Sequence, residues 1–272
     1  MDLEFGIVQG RLIQSPPGQL QWFPQDRWEE EFPLAAELGI NYIELIAERD
    51  HNPKNPIWSD SGIKKIKSLC EKHNLRLRAL CNDYIIDHSL LSHSESLKQT
   101  INLIEKTSLL EIQKFILPMF EKSEMNENNW QEYTETLRNL STVAEKHSIL
   151  ICLETNLNGT KLIEVLESLA LDNIKCVFDT GNRVTCSPNI YSDIILLGGH
   201  IKHVHIKDKD ENNNNVLLGT GKVNFKKVFD SLASIDYSGP YTFETHRGND
   251  PIRTARYNCT LTKFFFDEAY SG

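Results

Sequence analysis

Ile149–Leu150–Ile151–Cys152–Leu153 runs into Glu154, Ile174–Lys175–Cys176–Val177–Phe178 into Asp179, Ile201–Lys202–His203–Val204 into His205, and Tyr241–Thr242–Phe243 into Glu244. Each is a short, largely apolar run that stops at a side chain able to bind a divalent cation. The intervals between those four residues are 25, 26 and 39, and a strand, a helix and two short connections take about 30 residues. Parallel strands are buried on both faces and read as continuous Val, Ile and Leu runs. The stretch therefore reads as successive βα units. In a closed barrel of such units the chemistry gathers at the C-terminal ends of the strands, so four groups at four successive ends converge on one point. That point reads as a metal site.

The same alternation extends over the first half. Leu3–Val8, Asn41–Leu45, Leu75–Cys81 and Lys114–Leu117 are predicted strands, the last stopped by Pro118. Helices are predicted from Asp26, as cap, to Leu38 with Gly39 as the stop, from Asp60 or Ser61 to His73, from Ser94 to Leu109 and from Glu132 to His147. Beyond these they are expected near Lys161–Leu169, Tyr191–Leu197, Asn224–Ser234 and Pro251–Ala269. Strands and helices alternating eight times make the α/β pattern of a (β/α)8 TIM barrel. No linker splits residues 1–272, so a single domain is expected. Glu121–Asn129 is predicted as exposed loop, Asn212–Asn215 as turn or disorder, and Thr180–Gly181 as a turn.

A formal charge of −9 and a pI near 5.5 exclude nucleic acid as a partner, since its backbone demands clustered Lys and Arg. The six cysteines form no CxxC pair, and Cys81, Cys152 and Cys176 fall in predicted strands as small apolar residues. A reducing cytoplasm is the expected location. Met1–Asp2–Leu3–Glu4 lacks the basic and apolar regions of a leader, and no apolar run approaches the ~20 residues of a membrane span. A soluble protein without a membrane partner is expected, with association into a homo-oligomer left open.

Three carboxylates and one imidazole suit a single divalent cation, Mn²⁺, Co²⁺, Zn²⁺ or Mg²⁺. Such a cation polarises a carbonyl oxygen and stabilises a developing enediolate. A Glu bound through one oxygen keeps the other as a proton acceptor. Glu154 and Glu244, separated by two intervening strands, address a substrate carbon from opposite faces, one removing the proton α to a carbonyl and the other returning one. The result is inversion of a hydroxyl-bearing centre. Any one strand-end Asp or Glu is more often a helix cap or loop acceptor; their joint occurrence carries the reading. Of His203 and His205, one is expected inside the barrel and one in the helix layer. At the mouth, Lys207 is a candidate for a hydroxyl or phosphate contact and Asp208 for orienting a ligand. Arg11, His246 and Arg247 are candidate phosphate donors. Glu44, Asn82 and Asp83 are candidate sugar-hydroxyl contacts, and Trp22, Phe23 and Trp58 are candidates to stack on a sugar or exclude water.

Glu154–Thr155–Asn156, Asp179–Thr180–Gly181–Asn182, His203–Val204–His205–Ile206–Lys207–Asp208, Gly219–Thr220–Gly221–Lys222–Val223–Asn224–Phe225 and Gly239–Pro240–Tyr241–Thr242–Phe243–Glu244 together resemble the xylose-isomerase-like barrel superfamily. Within it they are most similar to the sugar phosphate isomerases and epimerases, including L-ribulose/L-xylulose 5-phosphate 3-epimerases and ketose 3-epimerases. The motifs cover about residues 150–247, with looser matches at Gly6–Leu12 and Trp28–Glu44. The resemblance implies Glu154, Asp179, His205 and Glu244 as metal ligands, Glu154 and Glu244 as the acid/base pair, and the Gly219–Gly221 loop near the site. Many relatives carry His where Asn182 stands; Asn182, as in the pentulose-phosphate epimerases, implies one metal and a substrate contact. The implied activity is isomerisation or epimerisation of a small ketose or ketose phosphate through a cis-enediolate. A keto-polyol dehydratase would use the same groups. An apurinic-site endonuclease is opposed by Asn182, by the absence of His from Asp210–Val216 and by the charge of −9. A non-catalytic sugar-binding barrel is opposed by the intact pair Glu154 and Glu244.

Overall fold

Eight parallel strands, taken in sequence order, close on themselves. β1 (Phe5–Val8), β2 (Tyr42–Ala47), β3 (Ala79–Asn82), β4 (Lys114–Pro118), β5 (Leu150–Glu154), β6 (Ile174–Asp179), β7 (Ile201–Ile206) and β8 (Tyr241–Phe243) each pair with the next, and β8 returns to β1. The structure is a computed structural model that describes residues 3–270. Met1 and Asp2, read above for a leader, lie outside the described residues, as do the last two of the expected domain. Ten α-helices surround the strands among the described residues: α1 (Glu31–Glu37), α2 (Asp60–His73), α3 (Tyr84–Asp87), α4 (Ser94–Leu109), α5 (Thr134–Glu145), α6 (Gly159–Leu169), α7 (Thr180–Cys186), α8 (Ile190–Leu197), α9 (Phe225–Ser234) and α10 (Pro251–Tyr270). The TIM barrel expected from the sequence is the fold. No described helix is long and apolar enough to cross a membrane.

Alternation along each strand makes two apolar layers. Ile7, Leu45, Phe115, Leu153, Phe178 and Phe243 belong to the large core shared with the helices, whereas Val8, Ile46, Cys81, Ile116, Cys152 and Val177 form a separate cluster with Phe23. Residues two apart on a strand share a face. For that reason His203 and His205 both enter the barrel, where both contact Glu44. Neither belongs to the helix layer, which corrects the sequence expectation. The same rule turns Asn82, the neighbour of inward Cys81, outward to α4, where its amide donates to Thr100 Oγ1 at 3.0 Å.

Element ends differ from expectation for local reasons. Asp26 caps nothing; a 3-10 turn at Trp28–Glu30 leads into α1, with Pro33 in the first helical turn, where its missing N–H costs nothing. Ser59 caps α2 through Gly62 N at 3.0 Å, and Asn74 ends it in the left-handed region at φ 53. Thr180–Cys186 is a helix rather than a turn, because Asp179 caps it. Ser123 and Met125 are buried within the stretch expected to be an exposed loop. Asn212–Asn215 is an ordered turn, with Asp210 accepting from the backbone of Asn212 and Asn214.

Candidate metal centre

A register shift in β6 between Cys176 and Val177 brings Asp179 level with His205 on β7. Glu154 ends β5, and Glu244 follows β8, its N–H donating to Ile206 O at 3.2 Å. One ligand atom from each of Glu154, Asp179, His205 and Glu244 lies within 4.8 Å of those of the other three. His205 Nδ1 stands at the centre, 3.2 Å from Glu244 Oε2, 3.7 Å from Glu154 Oε2 and 3.9 Å from Asp179 Oδ2. The four strand ends converge as the sequence spacing requires.

Each carboxylate divides its two oxygens. Asp179 Oδ1 caps α7 by accepting from Asn182 N at 2.7 Å, while Oδ2 faces the cluster. Asn182 Nδ2 donates to Glu154 Oε1 at 2.9 Å, leaving Oε2 toward His205. Lys207 Nζ lies 3.0 Å from Asp179 Oδ2 and 2.7 Å from Glu244 Oε2. It reaches them because residue 181 is glycine: a Cβ there would stand 2.7 Å from Lys207 Cγ. Despite these ion pairs, Asp179 Oδ2, His205 Nδ1 and Glu244 Oε2 are buried with no hydrogen bond of proper geometry. Two anionic oxygens and an imidazole nitrogen left in that state, with Glu154 beside them, fit a divalent cation of the hard or borderline type.

The charges compete for protons. Burial drives Glu154 up to about 8, reinforced by Glu244 and Asp179 against the pull of His205. Glu244 is also buried, yet Lys207, His205 and Arg11 hold it well below the ordinary carboxylate range. Burial raises Asp179, with Lys207 opposing. Burial works against charge on His205 too, but Glu44 and Glu244 overcome it and raise the imidazole. Three acids crowded into a dry site cannot all ionise against one ammonium and one imidazolium.

Around the cluster, a cavity of about 910 Å³ is lined by Glu154, Asn182, His205, Lys207 and Glu244, together with Asp83. Several residues read as substrate contacts have other partners. Glu44 lies behind His205, Oε1 to Nε2 at 3.0 Å. Asp208 accepts from the N–H groups of Lys209, Gly219, Gly221 and Val223 at 2.9–3.0 Å and so ties down the Gly219–Gly221 loop. Arg11 donates to Leu20 O and, at 2.5 Å, to Gln21 Oε1, and lies 3.6 Å from Glu244 Oε1. Arg247 donates to Gly10 O, Gln19 O and Leu20 O at 2.7–3.1 Å. Both arginines thus fasten the loop after β1 instead of facing the cavity as open phosphate donors. His246 Nδ1 accepts from Gly248 N at 2.9 Å. Trp22 lies under Arg247, Phe23 is buried and Trp58 packs on His51. Sequence reading missed Glu31, whose buried carboxylate accepts from Gly10 N and Leu12 N at 2.8 and 3.1 Å and shapes the turn after β1. Nothing in its helical context signals that role.

The sequence profile of the xylose isomerase-like TIM barrel family matches residues 32–263. The L-ribulose-5-phosphate 3-epimerase UlaE of Shigella flexneri is 21% identical over 258 residues, 87% of this chain and 89% of its own. D-psicose 3-epimerase from Clostridium cellulolyticum H10, solved with D-tagatose, superposes with a TM-score of 0.77 at 15% identity over 97% of this chain and 99% of that one. The IOLI protein, solved with a bound zinc atom, superposes with a TM-score of 0.74 at 18% identity over 99% and 98%. At these identities the superpositions establish the barrel alone; the profile goes further, because it spans most of the chain. The chain belongs to the xylose isomerase-like TIM barrel family.

Proposed function

We propose that this chain is a divalent-metal-dependent isomerase or 3-epimerase of a small ketose or ketose phosphate, acting through a cis-enediolate with Glu154 and Glu244 as the acid/base pair. Its named relatives are sugar epimerases, and it is an enzyme of that kind. The carrying observation is the convergence of Glu154, Asp179, His205 and Glu244 within 4.8 Å, with cluster-facing atoms that lack hydrogen bonds. A divalent cation bound there would supply the positive charge that acidifies the carbon next to a carbonyl.

The protein's own groups do the rest. Glu154 and Glu244 approach from strand ends separated by β6 and β7, so that a carbon held between them loses a proton to one carboxylate and regains one from the other on the opposite face. Asn182 holds Glu154 through Oε1 and so orients its Oε2 on the cluster side. Lys207 holds Glu244 ionised beside it. Asp83 lines the cavity with one oxygen unpartnered, a natural acceptor for a sugar hydroxyl. Arg11 and Arg247 have their guanidinium groups on loop carbonyls, which weighs toward the free ketose.

Incubation of the metal-loaded protein with ketoses in D₂O tests the reading: deuterium should enter at the carbon bearing the inverted hydroxyl with no hydroxyl lost. Loss of water would instead assign a dehydratase. Glu154→Gln and Glu244→Gln should keep the fold and lower turnover ~10²–10⁴-fold; a wild-type rate in either variant removes that residue from the pair.

A further inference from the structure

The cation site has a buried polar support that runs back along the barrel axis. Glu44 Oε1 is 3.0 Å from His205 Nε2, and Glu44 Oε2 is 2.6 Å from His203 Nε2. Thr242 Oγ1 stands 2.8 Å from His203 Nε2 and 3.3 Å from Glu44 Oε2, and the Tyr42 hydroxyl reaches Thr242 Oγ1 at 2.5 Å. Tyr42, Glu44, His203 and Thr242 are each 0% exposed, and His205 is 2% exposed. Room for Tyr42 at the base comes from Gly6, where any Cβ would overlap the phenol ring.

We infer that Glu44 is a positioning residue that fixes His205 as its Nε2–H tautomer, so that Nδ1 turns an unprotonated lone pair toward the cation site. This rests on the metal reading proposed above. With a cation at Nδ1 in place of the second proton that the neighbouring carboxylates otherwise favour on His205, the hydrogen bonds admit one arrangement. An ionised carboxylate only accepts, so both Nε2 atoms facing Glu44 carry hydrogens. Thr242 donates to Glu44 Oε2, and Tyr42 donates to Thr242. Glu44 then receives three donors, and every polar atom of the column has a partner except the two Nδ1 atoms. His203 Nδ1 is simply the bare nitrogen of a neutral imidazole. His205 Nδ1 is the nitrogen that lies 3.2–3.9 Å from Glu244, Glu154 and Asp179.

Glu44, His203 and His205 also lie close enough to hold an ion among themselves. Two observations favour a hydrogen-bonded support over a second ion. Thr242 Oγ1 sits within hydrogen-bond distance of both His203 Nε2 and Glu44 Oε2, occupying the space an ion would need. An ion there would also engage His205 through Nε2, leaving that ring to bridge two cations at once.

Removing the carboxylate frees the tautomer. With Glu44→Gln the amide N–H₂ can face His205 Nε2, which moves the ring proton to Nδ1 and places an N–H where the lone pair is required. Glu44→Asp keeps an acceptor-only group. The test loads the full chain with Zn²⁺ and records long-range ¹H–¹⁵N correlations of the imidazole rings, and in parallel titrates Co²⁺ while counting ions per chain. The wild type should show His205 protonated at Nε2 only and bind one ion per chain. Glu44→Gln should weaken Co²⁺ binding roughly 10–100-fold, with Glu44→Asp recovering part of the loss. A second ion per chain or unchanged affinity in Glu44→Gln would overturn the inference while leaving the metal reading intact; an Nδ1–H signal in the loaded wild type would overturn it and also remove His205 from the ligand set. Absence of any bound ion would remove both. If the variants fail to fold, the wild type still decides: its His205 Nε2–H proton should resonate strongly downfield, as one bonded to a carboxylate does, and a proton at the position of a free imidazole N–H would overturn the inference.

Discussion

Replacing Lys207 by Met removes the ammonium that lies between Asp179 Oδ2 and Glu244 Oε2 at 3.0 and 2.7 Å. Lys207 and Asp179 are buried and Glu244 is mostly so, with side-chain exposures of 6%, 1% and 13%. Breaking a buried pair by deleting one partner costs ~3–5 kcal/mol, because the remaining charge is left in a dry environment. In EDTA the variant should therefore melt roughly 6–10 °C below the wild type, at about 2 °C per kcal/mol for a chain of this size. The sign reverses for the cation. Lys207 and a divalent ion claim the same two oxygens, so deleting the ammonium takes away both a competitor and a repelling charge. Saturating Mn²⁺ should raise the melting temperature of Lys207→Met more than that of the wild type, by the equivalent of ~1.4 kcal/mol or more, which is about tenfold in affinity. Thermal unfolding of both proteins, with EDTA and with a Mn²⁺ series, measures this directly. An equal or smaller metal-induced gain in the variant would refute the idea that ammonium and cation share those oxygens.

Further outcomes follow from neighbouring contacts. Asp208→Ala leaves the N–H groups of Lys209, Gly219, Gly221 and Val223 without their acceptor; it should lose at least ~1–3 kcal/mol and open the 209–223 segment to proteolysis, and an unchanged digestion pattern would contradict that role. Since a ligating carboxylate must shed its proton, and burial with two neighbouring acids raises Glu154 to about 8, cation affinity should climb as pH rises toward about 8 and level off above. A titration flat across that window would count against Glu154 as a ligand. A free ketose should be turned over with a higher kcat/KM than its phosphate ester, because Arg11 and Arg247 are already engaged by the loop after β1; a preference for the ester of ~10-fold or more would show that this loop releases its arginines to phosphate.

The barrel was legible because parallel strands are buried on both faces; the run ending at Glu154 is apolar throughout, and those ending at Asp179 and His205 stay largely so despite Lys175, Lys202 and His203. Their polar terminal residues gave the converging site for the same reason. What sequence could not supply was the partner of each side chain. Glu44 reads as a strand-end carboxylate, yet it is the third residue of β2 and sits below the mouth against two imidazoles. Asn82 ends β3 on the outward side of the alternation. Arg11 and Arg247 are of a type that binds phosphate, but which acceptor a guanidinium finds depends on the path of the 18–21 loop, and that path leaves no periodic trace in the sequence. Asp179 was legible both as a candidate ligand and as a possible cap, while the helix it caps, α7, stayed hidden behind a turn-like Thr180–Gly181.

The most direct measurement is an anomalous difference map from crystals of the full chain equilibrated with Mn²⁺ or Zn²⁺. One peak per chain is expected, about 2.0–2.3 Å from carboxylate oxygens of Glu154, Asp179 and Glu244 and from His205 Nδ1. A map with no peak among those four side chains, or with its peak between Glu44 and His203 instead, would contradict the metal reading.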